Sequence, residues 1–358
     1  MLTSLVIGDP HFKASAIHDG IKMIETTVSI AKARAPSFIV ILGDILDTHE
    51  VVRIEPLNLA TFLLEELSKI APTYLLIGNH DLINNSQFLT NKHAFNSFKR
   101  WKNVFIIDKP TILEIQDSKD EDRLFIFCPY TPPGRFHEAL DQIITDGYTW
   151  DLADAIFAHQ EFEGCKMNQI TSNKGDSWDS DYPTVISGHI HSEQIVGTNI
   201  FYPGSPVQHG FGDDSDKRIW LINWEPPSIL AEEDPYQNQG FSVEKIDLCL
   251  PSKKIMHKTI EEIRELETDD SFIEKIKKAL YKIELTGPSD QIKAFRQSRF
   301  FNKLSEIGVR FAFHLLVDTV DPIVVKTELS FREVLRDVVS KRSVFVQAEY
   351  EDLFQDHF

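Results

Sequence analysis

Five short polar clusters carry the side chains that could do chemistry: Gly8-Asp9-Pro10-His11, Gly43-Asp44, Gly78-Asn79-His80-Asp81, a single His159, and Gly188-His189-Ile190-His191. Their donors are imidazole, carboxylate and amide, without thiolate, a set that suits Mn, Fe or Zn more than Ca. A carboxylate has two oxygens with which to bridge a metal pair, and Asp44 is the natural bridge. Two cations about 3.5–4 Å apart would lower the pKa of a shared water and clamp a phosphate for in-line attack. His80, beside the candidate ligand Asn79, could protonate the leaving oxygen or hold the phosphate, with Asp81 orienting its ring. Asp9 and His11 are two residues apart, as are His189 and His191, so in extended backbone both members of a pair point the same way. Taken singly each cluster has a plainer reading: His159 a hydrogen-bonding core histidine, GNHD a turn, GD a commonplace dipeptide. Of 13 histidines, however, five (His11, His80, His159, His189, His191) fall at such positions, and the set argues for a site. His18, His93, His137, His257 and His314 lack that context and read as surface or packing residues.

Each cluster closes a short apolar run that predicts a strand buried on both faces: 2–7, 38–42, 73–77, 155–159 and 184–187, with 124–128 as a further strand. Helical periodicity over 16–34 and 55–70 separates the first three, which gives βαβαβ and a layered α/β sheet whose strand ends form one functional edge. The glycine before four of the five clusters is expected to let the backbone turn tightly there. Segments 200–204 and 218–224 read as late strands of the same body, and the Pro-rich, acidic stretch 225–240 as a boundary. Beyond it, strands over 241–248, 278–287 and 310–317 and a helix over 290–307, capped by Ser289 and ended by Gly308, predict a small α+β unit. Ser330 and Glu333 form a capping box over Phe331, Val334, Leu335, Val338 and Val339, an amphipathic helix apart from both. The expected organisation is therefore a body over 1–240, a small unit over 241–325 and a helical tail over 326–358.

The chain has 358 residues, 42% hydrophobic and 11% aromatic, which excludes the disordered and fibrous classes. Three cysteines without CxxC spacing fit a reducing, cytoplasmic setting better than a disulfide framework. The opening MLTSLVIGDPHF has no basic n-region and reads as a strand instead of a signal peptide, and no apolar run approaches membrane-spanning length. Net charge is −18, which argues against nucleic-acid or membrane affinity through bulk charge. That charge is uneven: residues 1–240 hold 18 basic and 34 acidic side chains, residues 241–325 hold 14 of each, and residues 326–358 hold 5 and 7.

In order, D-x-H, GD, GNHD, a lone His and GHxH resemble the calcineurin-like metallophosphoesterase superfamily over about the first 210 residues. The stretch YPGSPVQHGFGD (202–213) is similar to an element of the SbcD nuclease subunit of double-strand-break repair and of phage recombination endonucleases. The resemblance implies a layered β-sandwich flanked by helices, with a capping domain and a helical tail. It implies that Asp9, His11, Asp44 and His191 hold one metal and Asp44, Asn79, His159 and His189 the other, most often Mn2+ with Mg2+ as an alternative, with His80 as catalytic histidine. The archaeal and eukaryotic branch has a His three residues after the bridging Asp. Here Asp47 stands there and His49 follows two later. The polar stretch 166–183 is a candidate cleft wall. The resemblance further implies a DNA nuclease with a partner SbcC-type coiled-coil ATPase bound through the tail, since no GxxxxGK[ST] occurs here. It also implies a homodimer, for which helices over 55–70 and 88–101 are candidates. In the capping unit Lys293, Arg296, Arg299 and Lys303, interleaved with Phe295, Phe300 and Phe301, are candidate DNA contacts, or else the exposed face of an ordinary amphipathic helix. Two other functions compete: a different phosphodiesterase or phosphatase of the same superfamily, and a non-catalytic scaffold for a DNA-repair ATPase.

Overall fold

A computed structural model describes residues 1–144, 149–167, 170–225, 236 and 239–316. The chain begins β1 (Thr3–Ile7), α1 (Ile17–Arg34), β2 (Phe38–Ile41), α2 (Ile54–Ser68), β3 (Thr73–Leu76) and β4 (Val104–Ile107). It continues through β5 (Thr111–Gln116), β6 (Asp122–Cys128), α3 (Phe136–Leu140), β7 (Ala155–His159), the short β8 (Lys166–Met167) and β9 (Ile170–Thr171), and β10 (Val185–Gly188). There follow β11 (Gln194–Val196), β12 (Ile200–Tyr202), β13 (Arg218–Asn223) and β14 (Ser242–Asp247). Two six-stranded sheets result, ordered β14-β13-β1-β2-β3-β4 and β11-β12-β10-β7-β6-β5.

Alternation along the strands explains why the apolar runs are continuous. Leu5, Ile7, Ile39 and Ile41 face α1 and α2, packing on Met23, Ile24, Leu63 and Leu64. Val6, Phe38, Val40 and Leu42 face the other way, into a layer shared with Phe125, Phe127, Phe157 and Phe201 of the second sheet. Both faces of the first sheet are thus dry, and polar groups are driven to the strand ends. In β1 to β3, which run parallel to one another, and in β7 and β10, likewise parallel, those ends lie on one edge.

The small unit follows as β15 (Lys253–Thr259), α4 (Ile260–Glu265), α5 (Asp270–Ile276), β16 (Leu280–Gly287), α6 (Ser289–Arg296), α7 (Arg299–Glu306) and β17 (Arg310–Leu315). Its sheet is β15-β16-β17, all parallel. Its helices bury Ile263, Phe272, Phe295, Phe300 and Leu304 against Ile283 and Leu285.

Four expectations change. The strand over 241–248 belongs to the body, because β14 pairs with β13 along all six residues, so the chain leaves the body after Leu248 and not at 240. The helix over 290–307 is two helices, broken at Gln297 and Ser298, where the Ser298 hydroxyl accepts from Phe301 N–H. Over 88–101 only a single 3-10 turn forms, at Asn96–Arg100. Phe295 and Phe300 are core residues and have no face left for stacking bases, whereas Lys293, Arg296, Arg299 and Lys303 are exposed. Most of the 225–240 boundary and all of the tail lie outside the described residues. Among the described residues no helix is long and apolar enough to cross a membrane.

Candidate metal centre

The strand ends of both sheets deliver their clusters to one place. Asp44 follows β2 and is buried, with its backbone in the left-handed region (φ 46°). His11 (φ 42°) and His189 (φ 76°) share that conformation, which costs a non-glycine residue free energy and is retained at functional sites. His11 N–H donates to Asp44 O at 2.9 Å, locking two of these residues together. The clusters therefore do not continue as extended strands, and His189 and His191 turn to different neighbours.

Asp44 Oδ1 accepts from His80 N–H at 2.8 Å. Its other oxygen, Oδ2, stands between two groups: His11 Nε2 at 3.5 Å on one side and His159 Nε2 at 3.3 Å on the other. One oxygen, and not both, is thus left to face a metal pair. On the first side His191 Nε2 comes within 3.1 Å of His11 Nε2. On the second, Asn79 Oδ1 lies 3.1 Å from His159 Nε2 and 2.9 Å from His189 Nδ1. The Nδ1–H of His159 donates to Leu42 O at 2.7 Å, so a neutral His159 turns the lone pair of Nε2 towards those oxygens. With His159 neutral, lone pairs converge here, and a divalent cation would satisfy them. Both oxygens of Asp9 are buried without a hydrogen-bond partner, 3.5 Å separating Oδ1 from His159 Nδ1. The donor set therefore fits a metal pair, and three overlapping triads, His11/Asp44/His80, Asp44/His159/His189 and His11/His191/His209, each bring their donor atoms within 4.8 Å of one another.

The electrostatics agree. Burial opposes charge on His159, but the Asp44 and Asp9 carboxylates outweigh it and raise its pKa to about 9: the bare site recruits a proton as its cation. Burial raises Asp9 to about 6, with His159 pulling the other way. His189 is pushed down to about 3 by burial and by His159, and His191 to about 4 by burial and by His11, so both are neutral donors. Against burial, His159 and His11 hold Asp44 well below the usual carboxylate range.

Glycines near the site serve close approach more than turning. A Cβ on Gly78 would stand 2.2 Å from Asp44 Oδ1, and one on Gly188 2.5 Å from Asp9 Oδ1. Neither has a positive φ, so the expected tight turn is not their role; Gly43 (φ 112°) does need it.

Around this centre a further expectation is corrected. Asp81 does not orient His80: its Oδ1 accepts from Leu46 N–H (3.1 Å) and its Oδ2 from Gly78 N–H (3.0 Å), pinning the loops of Asp44 and Asn79 together. His80 Nδ1 instead meets Asp47 O at 2.8 Å, which leaves Nε2 free, and its ring stacks on His49 at 4.5 Å. The segment 166–183 backs the second side. Ser172 donates to Glu161, whose Oε2 lies 4.0 Å from His189 Nε2, and Asp176 accepts from Gln160 Nε2 at 2.6 Å. His93, read as surface or packing, is a buried partner of Asp108 at 3.2 Å.

His209 is a site neighbour that pattern reading passes over. It follows no strand and is spaced from no partner, yet its ring centroid lies 4.8 Å from those of both His11 and His191. The stretch YPGSPVQHGFGD was its available signal. Three clefts open in a row along this edge. The first is lined by His11, His209 and Lys253, the next by Lys13, Asp47 and Arg53, and the third by His80, Asn91 and Lys92. The candidate DNA contacts of the capping unit line none of these three.

Residues 2–193 match the family described as calcineurin-like phosphoesterase. Protein 244L of Invertebrate iridescent virus 6, which carries the name of a phosphoesterase, is 41% identical over 302 residues, spanning 82% of this chain and 97% of the relative. Protein 078R of Invertebrate iridescent virus 3, named in the same way, is 36% identical over 320 residues, spanning 88% and 85%. Two solved structures are each 13% identical over 69% of this chain: GAP50, the anchor in the inner membrane complex of Plasmodium (84% of that chain, TM-score 0.41), and YfcE, a phosphoesterase from E. coli (100%, TM-score 0.31). With a family match over more than half its length, and a relative 41% identical along nearly the whole of that relative, the chain belongs to the calcineurin-like phosphoesterases.

Proposed function

We propose that this phosphoesterase is a two-metal DNA nuclease of the SbcD type, which hydrolyses phosphodiesters as the nuclease subunit of a DNA end-processing complex. The observation that carries the two-metal part is Asp44 Oδ2, which faces a donor group on each side. A divalent pair held there, Mn2+ or Mg2+, would supply an activated water and neutralise phosphate charge. Asp9, Asp44, Asn79 and the four imidazoles of His11, His159, His189 and His191 would hold it. His80 presents a free Nε2 beside the centre, so it is the group to give the leaving oxygen its proton or to hold the phosphate. Burial lowers its pKa, with the Asp44 carboxylate pulling the other way.

The polymer reading is supported by the open row of clefts and by Lys13, Arg53 and Lys92 of the otherwise strongly acidic body, with Lys253 of the capping unit, along it. The YPGSPVQHGFGD stretch and the capping unit beside it favour the SbcD type over a small-molecule phosphatase. A non-catalytic scaffold would have no need of so complete a set of donors. Because the body repels DNA at long range, the isolated chain binds DNA weakly and leans on its metals, its charge-neutral capping unit and a partner ATPase. The tail over 326–358, outside the described residues, is the proposed docking segment for that ATPase, and the exposed Ile54 and Phe62 of α2 are the proposed homodimer face.

The test is cleavage of labelled single- and double-stranded DNA with Mn2+ or Mg2+, with a chelator control. Metal-dependent cleavage is expected. Hydrolysis of a generic phosphomonoester with none of DNA, even with an ATPase partner present, would sink the nuclease reading. Deleting residues 330–358 should leave basal cleavage intact and end co-purification of the ATPase.

A further inference from the structure

The segment that follows β12, residues 203–217, grips the site at two backbone carbonyls. Ser205 N–H (3.1 Å) and Lys217 Nζ (2.6 Å) both donate to His191 O. His209 Nε2 lies 3.0 Å from Asp9 O, and its ring closes a triangle with those of His11 and His191, 4.8 Å on every edge. Neither carboxylate oxygen of Asp9 has a hydrogen-bond partner, and Oδ1 lies 3.5 Å from His159 Nδ1, so His209 is the one side-chain donor among these residues that reaches the Asp9 backbone oxygen.

The same segment is fastened to the capping unit on both sides of His209. Gln208 Oε1 accepts from Lys253 N–H (2.6 Å), and Lys253 Nζ donates to Gln208 O (2.6 Å). The Arg310 guanidinium lies 5.6 Å over the Phe211 ring. The Asn79/His159/His189 side has body partners instead: Leu42 O for His159, Asn85 for Asn79, Glu161 for His189.

We propose that His209 is a positioning residue for the Asp9/His11/His191 side of the metal centre, and that through it the seat of the capping unit sets how firmly that side holds its cation. Partners that orient a ligand typically change metal affinity 10- to 100-fold, and a backbone carbonyl fixed by an imidazole N–H fixes the side chain it carries. The inference rests on the two-metal reading above.

The test is titration of the metal-free full-length chain with Mn2+, followed by calorimetry and by electron paramagnetic resonance. Two equivalents are expected for the wild type. His209→Phe keeps a ring but no donor and should weaken one equivalent about tenfold or more, leaving the other unchanged. His209→Gln, whose amide can still donate to Asp9 O, should restore most of that loss. Gln208→Ala and Lys253→Ala, at the seam with the capping unit, should weaken the same equivalent by less, and they carry the test if His209→Phe fails to fold. Two wild-type equivalents left untouched by His209→Phe, or weakened alike, overturn the clamp alone. Fewer than two equivalents in the wild type overturn the two-metal reading and the clamp with it.

Discussion

The two sides of Asp44 are built in different ways. Asn79, His159 and His189 come from the ends of three strands in two sheets, and their neighbours Leu42, Asn85 and Glu161 all belong to the body. Asp9 and His191 are held in part by a late segment that is itself tied to the capping unit, and His11 packs against that segment through the ring of His209. A side made from packed strand ends is as rigid as the core beneath it. A side that borrows its support from a second unit can respond to what that unit does.

The largest expected effect removes the element common to both sides. Asp44→Ala should abolish both Mn2+ equivalents and reduce phosphoesterase activity to background, and retention of either equivalent would break the comparison. Next come the sides singly. His189→Ala and His191→Ala should each lose one equivalent, and competition between the variants in metal-bound spectra should show that the two losses differ; identical spectra would mean a single shared site. His80→Ala should keep both equivalents while turnover falls about 10²- to 10⁴-fold, the usual weight of a general acid. Loss of metal there, by elemental analysis, would make His80 a ligand.

The smallest effect is graded with pH. His159 carries a proton in the bare site up to about pH 9, and a cation must displace it. Its pKa is raised, so the proton is bound below that pH and lost above it. Mn2+ affinity on the second side should therefore climb with pH, about tenfold per unit for the one proton released, and level off near pH 9. Calorimetry in buffers of different ionisation enthalpy counts that proton, and a pH-independent affinity would exclude His159 from the site.

Much of this was legible in the residues. Continuous apolar runs ending in Asp, Asn and His gave away both the buried strands and the edge they share, because a strand dry on both faces can place polar groups only at its ends. Asp81 was misread because adjacency in GNHD suggests a partner for His80, whereas backbone N–H groups of two loops claim its oxygens. β14 was assigned to the wrong unit because nothing local distinguishes a strand that returns to pair with β13 from one that opens a new sheet.

Composition and pattern by themselves determined the fold class, the phosphoesterase motifs and the acidic body, since each depends on residue type and near-neighbour spacing. Only the tertiary structure decided that one oxygen of Asp44 faces both sides, that His209 joins His11 and His191, and that the capping unit is tied to one side of the centre. Those are contacts between residues some 35 to 200 positions apart in the chain. Packing of whole layers sets them, and no local rule of spacing encodes that.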